Sequence, residues 1–190
     1  MATIRTSSSP ILPSLTRSSI PVGYYSDQNL LAKELIDRKI TFPAIIGVAN
    51  GAFSDAKFTN TYGTSADGFF DINYRYNPNS EEADYLLREY RERHGEEIPV
   101  CAIYGYESIM VIADALRRAG TTEHDALRDA LAETNMTDHL LPQNEIIFDE
   151  AGENINSAGV LIQIQNGKQV IVFPKEYAEG EIIMKEGSDS

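Results

Sequence analysis

The 190 residues include no tryptophan and a single cysteine, Cys101. A lone cysteine cannot close an intramolecular disulfide, and Cys101 lacks the clustered ligands of a zinc site. Its neighbours Val100, Ala102 and Ile103 predict a buried strand thiol. Basic residues are few: 16 Lys and Arg stand against 29 Asp and Glu, for a formal charge of -13. Such a surface repels phosphates and anionic headgroups, which disfavours nucleic acid and acidic membranes as partners. The same charge is also explained by solubility alone. No apolar run approaches the roughly 20 residues of a membrane-spanning helix. Residues 1–19 are a Ser-, Thr- and Pro-containing leader without the continuous apolar stretch of a secretory signal. The expectation is that a signal has been removed or that the chain begins inside a longer protein.

Enzyme signatures are also missing. There is no G-x-S-x-G elbow, no P-loop and no G-x-G-x-x-G. His94, His124 and His139 fall in helix ends or loops without paired ligand spacing, and are expected to be solvated. The segment from Asp149 to Asn156 holds carboxylates and a glycine, but its spacing fails the calcium-loop pattern and predicts a turn. No metal or cofactor is expected, and no nucleophile–base pair can be assembled.

What is present is an α/β pattern with a 42% apolar composition. A short strand is expected near Ile20–Tyr24. Ser26 is a candidate N-cap for a helix reaching Lys39, with Leu31 and Leu35 on one face. The continuous apolar run 44–49 predicts a strand covered on both faces, followed by Asn50-Gly51 turn chemistry. A helix or loop over Ser54–Thr61 leads to a strand near Gly68–Ile72. Ser80 caps a helix with Glu81 and Glu82 in its first turn, Arg91, Arg93 and His94 in its last, and Gly95 beyond it. A strand over Val100–Tyr104 is expected to feed a helix over 105–119, with Ile109, Ile112, Ala113 and Leu116 inward and an Asp114–Arg118 pair. Gly120 closes that helix. Thr122 is expected to cap the next, with Ala126, Leu127, Ala130 and Leu131 inward. A short strand over Glu145–Asp149 follows. Asn166-Gly167 between two strand-like runs is a strong hairpin signal.

Aromatic residues gather at the ends of these elements: Tyr24, Tyr25, Phe53, Tyr104 and Tyr106. In open parallel sheets, ligands sit beyond the carboxyl ends of strands. Tyrosine there can offer a ring and a hydroxyl to a small solute. Ordinary packing explains the same residues as well, and spacing alone does not choose.

Several segments together resemble the periplasmic branched-chain amino-acid-binding proteins of ABC importers. They are AIIGVANGAFSDAKF from Ala44, ADGFF from Ala66, YGYESIMVIADALRRAG from Tyr104, EIIFDEAGENIN from Glu145 and LIQIQNGKQVIVFP from Leu161, with YYSDQNLL from Tyr24. The similarity spans about residues 20–178 and corresponds to the carboxyl-terminal half of such a protein. The resemblance implies a type I periplasmic-binding-protein clamshell, with parallel sheets flanked by helices and a C-terminal antiparallel hairpin, here incomplete. It implies lobe II over 20–72, a hinge at 73–79, lobe I over 80–137, a second hinge at 138–142, and a return to lobe II over 143–190. Closure about such hinges would bury a small solute, an amino acid or related small organic acid or amide, for delivery to ABC permease subunits. The implied compartment is periplasmic or extracellular and membrane-associated. The resemblance further implies ligand contacts from Tyr24, Tyr25, Phe53 and Thr64 on lobe II, and from Tyr104, Tyr106 and Glu107 on or near lobe I. Thr64 stands where some members place a carboxylate for the ligand's ammonium, and its hydroxyl supplies no such charge. Asn50 is an extra residue in the loop after the first long strand. The family's N-terminal half is not matched, so exposed sheet edges and apolar faces are expected. Homo-oligomerisation, or a self-associating interaction or sensor role without a transport ligand, is the alternative.

Overall fold

The computed structural model describes residues 18–49 and 51–184. The expected leader and Asn50 lie outside the described residues, apart from residues 18 and 19. The described residues form two compact units: those within 18–74 together with 160–184, and Arg75–Gly159.

Unit 1 is a four-stranded sheet in the order β1 (Ile45–Val48), β2 (Phe69–Asn73), β5 (Val160–Gln165), β6 (Lys168–Phe173). β1 and β2 are parallel, and the β5–β6 hairpin adds antiparallel to β2. One face is covered by α1 (Tyr25–Asp37) and α2 (Ala56–Tyr62), which bury Ala32, Leu35 and Phe58 against Ile45, Phe69 and Ile164. The expected strand at 20–24 is reduced to a single bridge, in which Ser19 pairs with β1 through Ser19 N to Ala44 O and Ile46 N to Ser19 O. α1 is capped by Tyr24 rather than Ser26. Asp27, in the first turn, supplies the capping carboxylate by accepting the Tyr24 N–H at 3.1 Å. The other sheet face carries a row in register across all four strands, Val48, Ile72, Leu161 and Phe173. Val48, Ile72 and Phe173 are 49%, 43% and 60% exposed, so this row is apolar and open, while Phe70 and Gln163 on the same face are buried.

Unit 2 contains α3 (Glu81–His94), α4 (Val100–Ala119) and α5 (His124–Ala132), with a two-stranded ladder of β3 (Asn135–Met136) and β4 (Ile146–Ile147). α3 follows its sequence signals from end to end. Ser80 Oγ accepts the Ala83 N–H at 3.2 Å, and Gly95 takes the left-handed closing position. α4 departs from expectation. The run Val100–Tyr104 is not a strand but the first turns of this helix, entered through Pro99. A five-residue apolar run cannot by its pattern separate a strand from a buried helix segment, and length decides here for the helix. Two consequences follow. Cys101 is exposed rather than buried. The inward face is Ile103, Glu107, Val111 and Ala115, while Ile109 and Ile112 point out. Arg118 pairs with Asp114 at 2.8 Å as expected, and also reaches Ala130 O and Thr134 Oγ1, tying α4 to α5. α5 starts after Glu123, not Thr122, and the Thr121 hydroxyl accepts the Glu123 N–H.

The chain passes from unit 1 to unit 2 between Tyr74 and Arg75 and returns between Gly159 and Val160. Residues 138–142, expected as the second hinge, form part of the β3–β4 loop inside unit 2. The segment from 143 to 159 belongs to unit 2 as well, because Ile146 and Ile147 pair with Met136 and Asn135.

Candidate functional site

The carboxyl ends of β1 and β2 are where an open parallel sheet offers a ligand surface. In unit 1 this end holds Val48, Ile72 and Tyr74, all substantially exposed. α1 ends at the opposite side, where Leu35, Ile36 and Ile40 line a groove with Ile45, Asp67 and Phe69 at the amino ends of the strands. The start of α1, with Tyr24 and Tyr25, therefore lies towards the carboxyl ends. Tyr24 is 84% exposed. Tyr25 packs partly into the core, and burial, then the nearby Asp55 carboxylate and Tyr62, push its hydroxyl above the ordinary tyrosine range.

Phe53 is buried. It is 1% exposed, and its ring centroid lies 5.0 Å from those of both Phe58 and Phe69. The aromatic that follows β1 is core. Thr64 is exposed, but it sits in a short 3-10 turn before β2, against the Asn166–Gly167 hairpin turn. It is thus at the amino end of the sheet, away from the surface formed by Val48 and Ile72.

A polar cluster beneath the carboxyl-end surface escapes the sequence reading. Ser54 Oγ donates to Asp71 Oδ2 at 2.6 Å, and Asn73 Nδ2 donates to Ser54 Oγ at 2.8 Å. All three side chains are buried, and Asp71 Oδ1 has no partner in the structure. Burial raises the Asp71 carboxyl above the usual aspartate range, opposed by the bonds from Ser54 and Asn73. The available signal was a lone acid between apolar residues in Phe69-Phe70-Asp71-Ile72. A raised folded pKa favours the protonated form, so this contribution to stability is present below the unfolded aspartate pKa and lost as pH rises through the folded value. The resistance of the parent to urea should therefore fall with rising pH across that window. Asp71→Asn should flatten the dependence. An unchanged slope in the variant would contradict the assignment.

In unit 2, Tyr104, Tyr106 and Glu107 lie in the second and third turns of α4, not at an element end. Tyr104 packs partly into the core around Ile103 and Val111. The Tyr106 hydroxyl donates to Glu82 Oε1 at 3.2 Å; burial first, then Glu82, raises its pKa. Glu107 is 3% exposed, and its Oε2 accepts the Leu140 N–H at 2.8 Å. Its Oε1 has no partner in the structure. Burial pushes its carboxyl up, while the Leu140 bond and His139 act in the opposite direction. Asn77 N donates to Leu140 O at 2.6 Å, so both backbone groups of Leu140 are held. His139 is not simply solvated, because both ring nitrogens bond to backbone. Among the described residues no cluster of His, Cys, Asp or Glu is placed to hold a metal ion.

Solved structures of similar fold include amino-acid- and solute-binding proteins by their descriptions. A leucine-binding protein of Thermotoga maritima matches with TM-score 0.66 at 20% identity, over 81% of this chain and 43% of that one. A branched-chain amino-acid transporter substrate-binding protein of Streptococcus pneumoniae, solved with isoleucine, matches with TM-score 0.69 at 20% identity, over 91% and 46%. A solute-binding protein of an R. palustris ABC transporter, solved with benzoate, matches with TM-score 0.67 at 14% identity, over 82% and 42%. The chain thus has the type I periplasmic-binding-protein fold over rather less than half the length of these relatives. No curated protein matches the sequence. The periplasmic binding protein family model matches residues 24–169, and the chain belongs to that family.

Proposed function

We propose that the chain is a binding module for a small solute in ABC-type import, and that the carboxyl-end surface of unit 1 is one wall of its site. The observation that carries this reading is the pairing of family membership over residues 24–169 with an open aromatic and aliphatic surface at those strand ends. Tyr24, Tyr25 and Tyr74 supply rings and hydroxyls there. The relatives' ligands, leucine, isoleucine and benzoate, share a carboxylate on an apolar body. A solute of that kind, rather than a sugar or a metal, is the proposed class. Tyr106 and Glu107 are engaged within unit 2 by Glu82 and Leu140, so they are proposed as supports rather than solute contacts. The proposed compartment is the periplasm or the outer cell surface, the proposed partners are permease subunits, and the role is binding without catalysis.

The test is a thermal-shift panel of leucine, isoleucine, valine and benzoate. A solute present at 100 times its dissociation constant should add about 2.7 kcal/mol to the stability of the unit that binds it. A second reading is favoured by the exposed row Val48, Ile72 and Phe173, which would also suit self-association. No response across the panel, together with concentration-dependent dimers in sedimentation, would support that reading against the first.

A further inference from the structure

The loop between β3 and β4 is held by a histidine whose two ring nitrogens both meet backbone groups. Leu141 N–H can only donate, and it points at His139 Nδ1 at 3.2 Å. Asn144 O can only accept, and it lies 2.5 Å from His139 Nε2. One arrangement satisfies both contacts: a neutral ring with its hydrogen on Nε2 and a lone pair on Nδ1. An imidazolium would carry hydrogen on both nitrogens and set an N–H against the Leu141 N–H. The residue before Leu141 is secured differently, since the Leu140 N–H goes to Glu107 Oε2. A carboxyl oxygen accepts that bond whether or not Glu107 is protonated, and burial favours its neutral form.

We propose that His139 is a proton-operated latch on the β3–β4 loop, closed when the ring is neutral and released at Leu141 when it is protonated. The titratable group that interacts with it across the packing is Glu107 on α4, and Asp138 precedes it in the loop itself. Acidification weakens the His139 contact, while a Glu107 carboxyl oxygen still accepts the Leu140 N–H, so the two adjacent amides part company. Leu140 stays held while Leu141 is freed. This response belongs to unit 2 alone and stands apart from the solute-binding reading.

Two measurements on the intact chain test it. Long-range proton–nitrogen NMR of the histidine rings should show the Nε2–H tautomer for His139 at about pH 8. Hydrogen exchange, normalised for intrinsic pH chemistry, should show Leu141 protection falling by about five- to tenfold between about pH 8 and pH 5, the worth of one hydrogen bond, with Leu140 unchanged. His139→Asn places an amide oxygen where it can accept the N–H two residues on, and cannot titrate. It should keep Leu141 protected at both pH values. His139→Ala should leave Leu141 weakly protected at both. An Nδ1–H tautomer, equal loss at Leu140 and Leu141, or the parent's pH response in His139→Asn would each overturn the latch.

Discussion

Phe53→Ala is expected to lower the stability of unit 1 by about 3–5 kcal/mol, the usual cost of emptying an aromatic site in a close-packed core. The residue touches Phe58 and Phe69 at ring distances of 5.0 Å and is shielded from solvent. Phe58 and Phe69 are themselves 5.8 Å apart, so the three rings form a closed triangle between α2 and the sheet. Removing one ring also forfeits edge and tilted contacts worth roughly 0.5–1.5 kcal/mol per pair, part of the same total. Urea unfolding followed by hydrogen exchange should show early loss of protection in β1 and β2, with α3 and α4 still protected. Were Phe53 instead a wall of the solute site, the same change would leave unfolding nearly untouched and reduce only binding.

Gly167→Ala is expected to cost unit 1 about 2–5 kcal/mol. The first part is conformational: φ is +72°, a left-handed position that costs an L-residue about 1–2 kcal/mol. The second part is contact. An added Cβ would lie 3.1 Å from the Gly63 carbonyl carbon and 3.2 Å from the Thr64 nitrogen, both backbone atoms that cannot swing aside. Overpacking of that kind costs a further 1–3 kcal/mol or so. The Gly167 N–H also donates to Asp67 Oδ1 at 2.8 Å, which fixes the hairpin against the turn before β2. Gly51→Ala is the control, with the same φ of +72° and no atom within 4 Å of the added carbon. Chemical denaturation should separate the two variants by the contact part alone. Equal losses would mean that the hairpin turn is not pressed against Gly63.

Sequence was a good guide where local signals agree with one another. α3 has an N-cap serine, acids first, bases last and a closing glycine, and each is used. The Asn166-Gly167 turn joins β5 and β6 with both residues at positive φ, the geometry that this dipeptide favours. Sequence was a poor guide where one pattern serves two structures. Val100–Tyr104 is apolar enough for a strand, yet it starts α4. That shift moved Cys101 to the surface and turned Tyr104 and Tyr106 into mid-helix residues. The site was less legible than the fold for a related reason. Phe53 and Thr64 are neighbours of strand ends in sequence, but nothing local says which end of the sheet a turn occupies, or whether a ring points into the core. Asp71 was missed, and His139 was read as solvated, because their partners, Ser54 at 17 residues and a pair of backbone groups, carry no spacing motif.

The central claim is that the carboxyl ends of β1 and β2 form a solute-binding wall. Backbone amide shifts, followed while each solute of the panel is titrated in, test it most directly. The account predicts saturable changes at Val48, Ile72 and Tyr74 and at the start of α1, with Thr64 and Gly167 unmoved. Saturable changes confined to Thr64, Gly167 and the groove at the amino ends would contradict it.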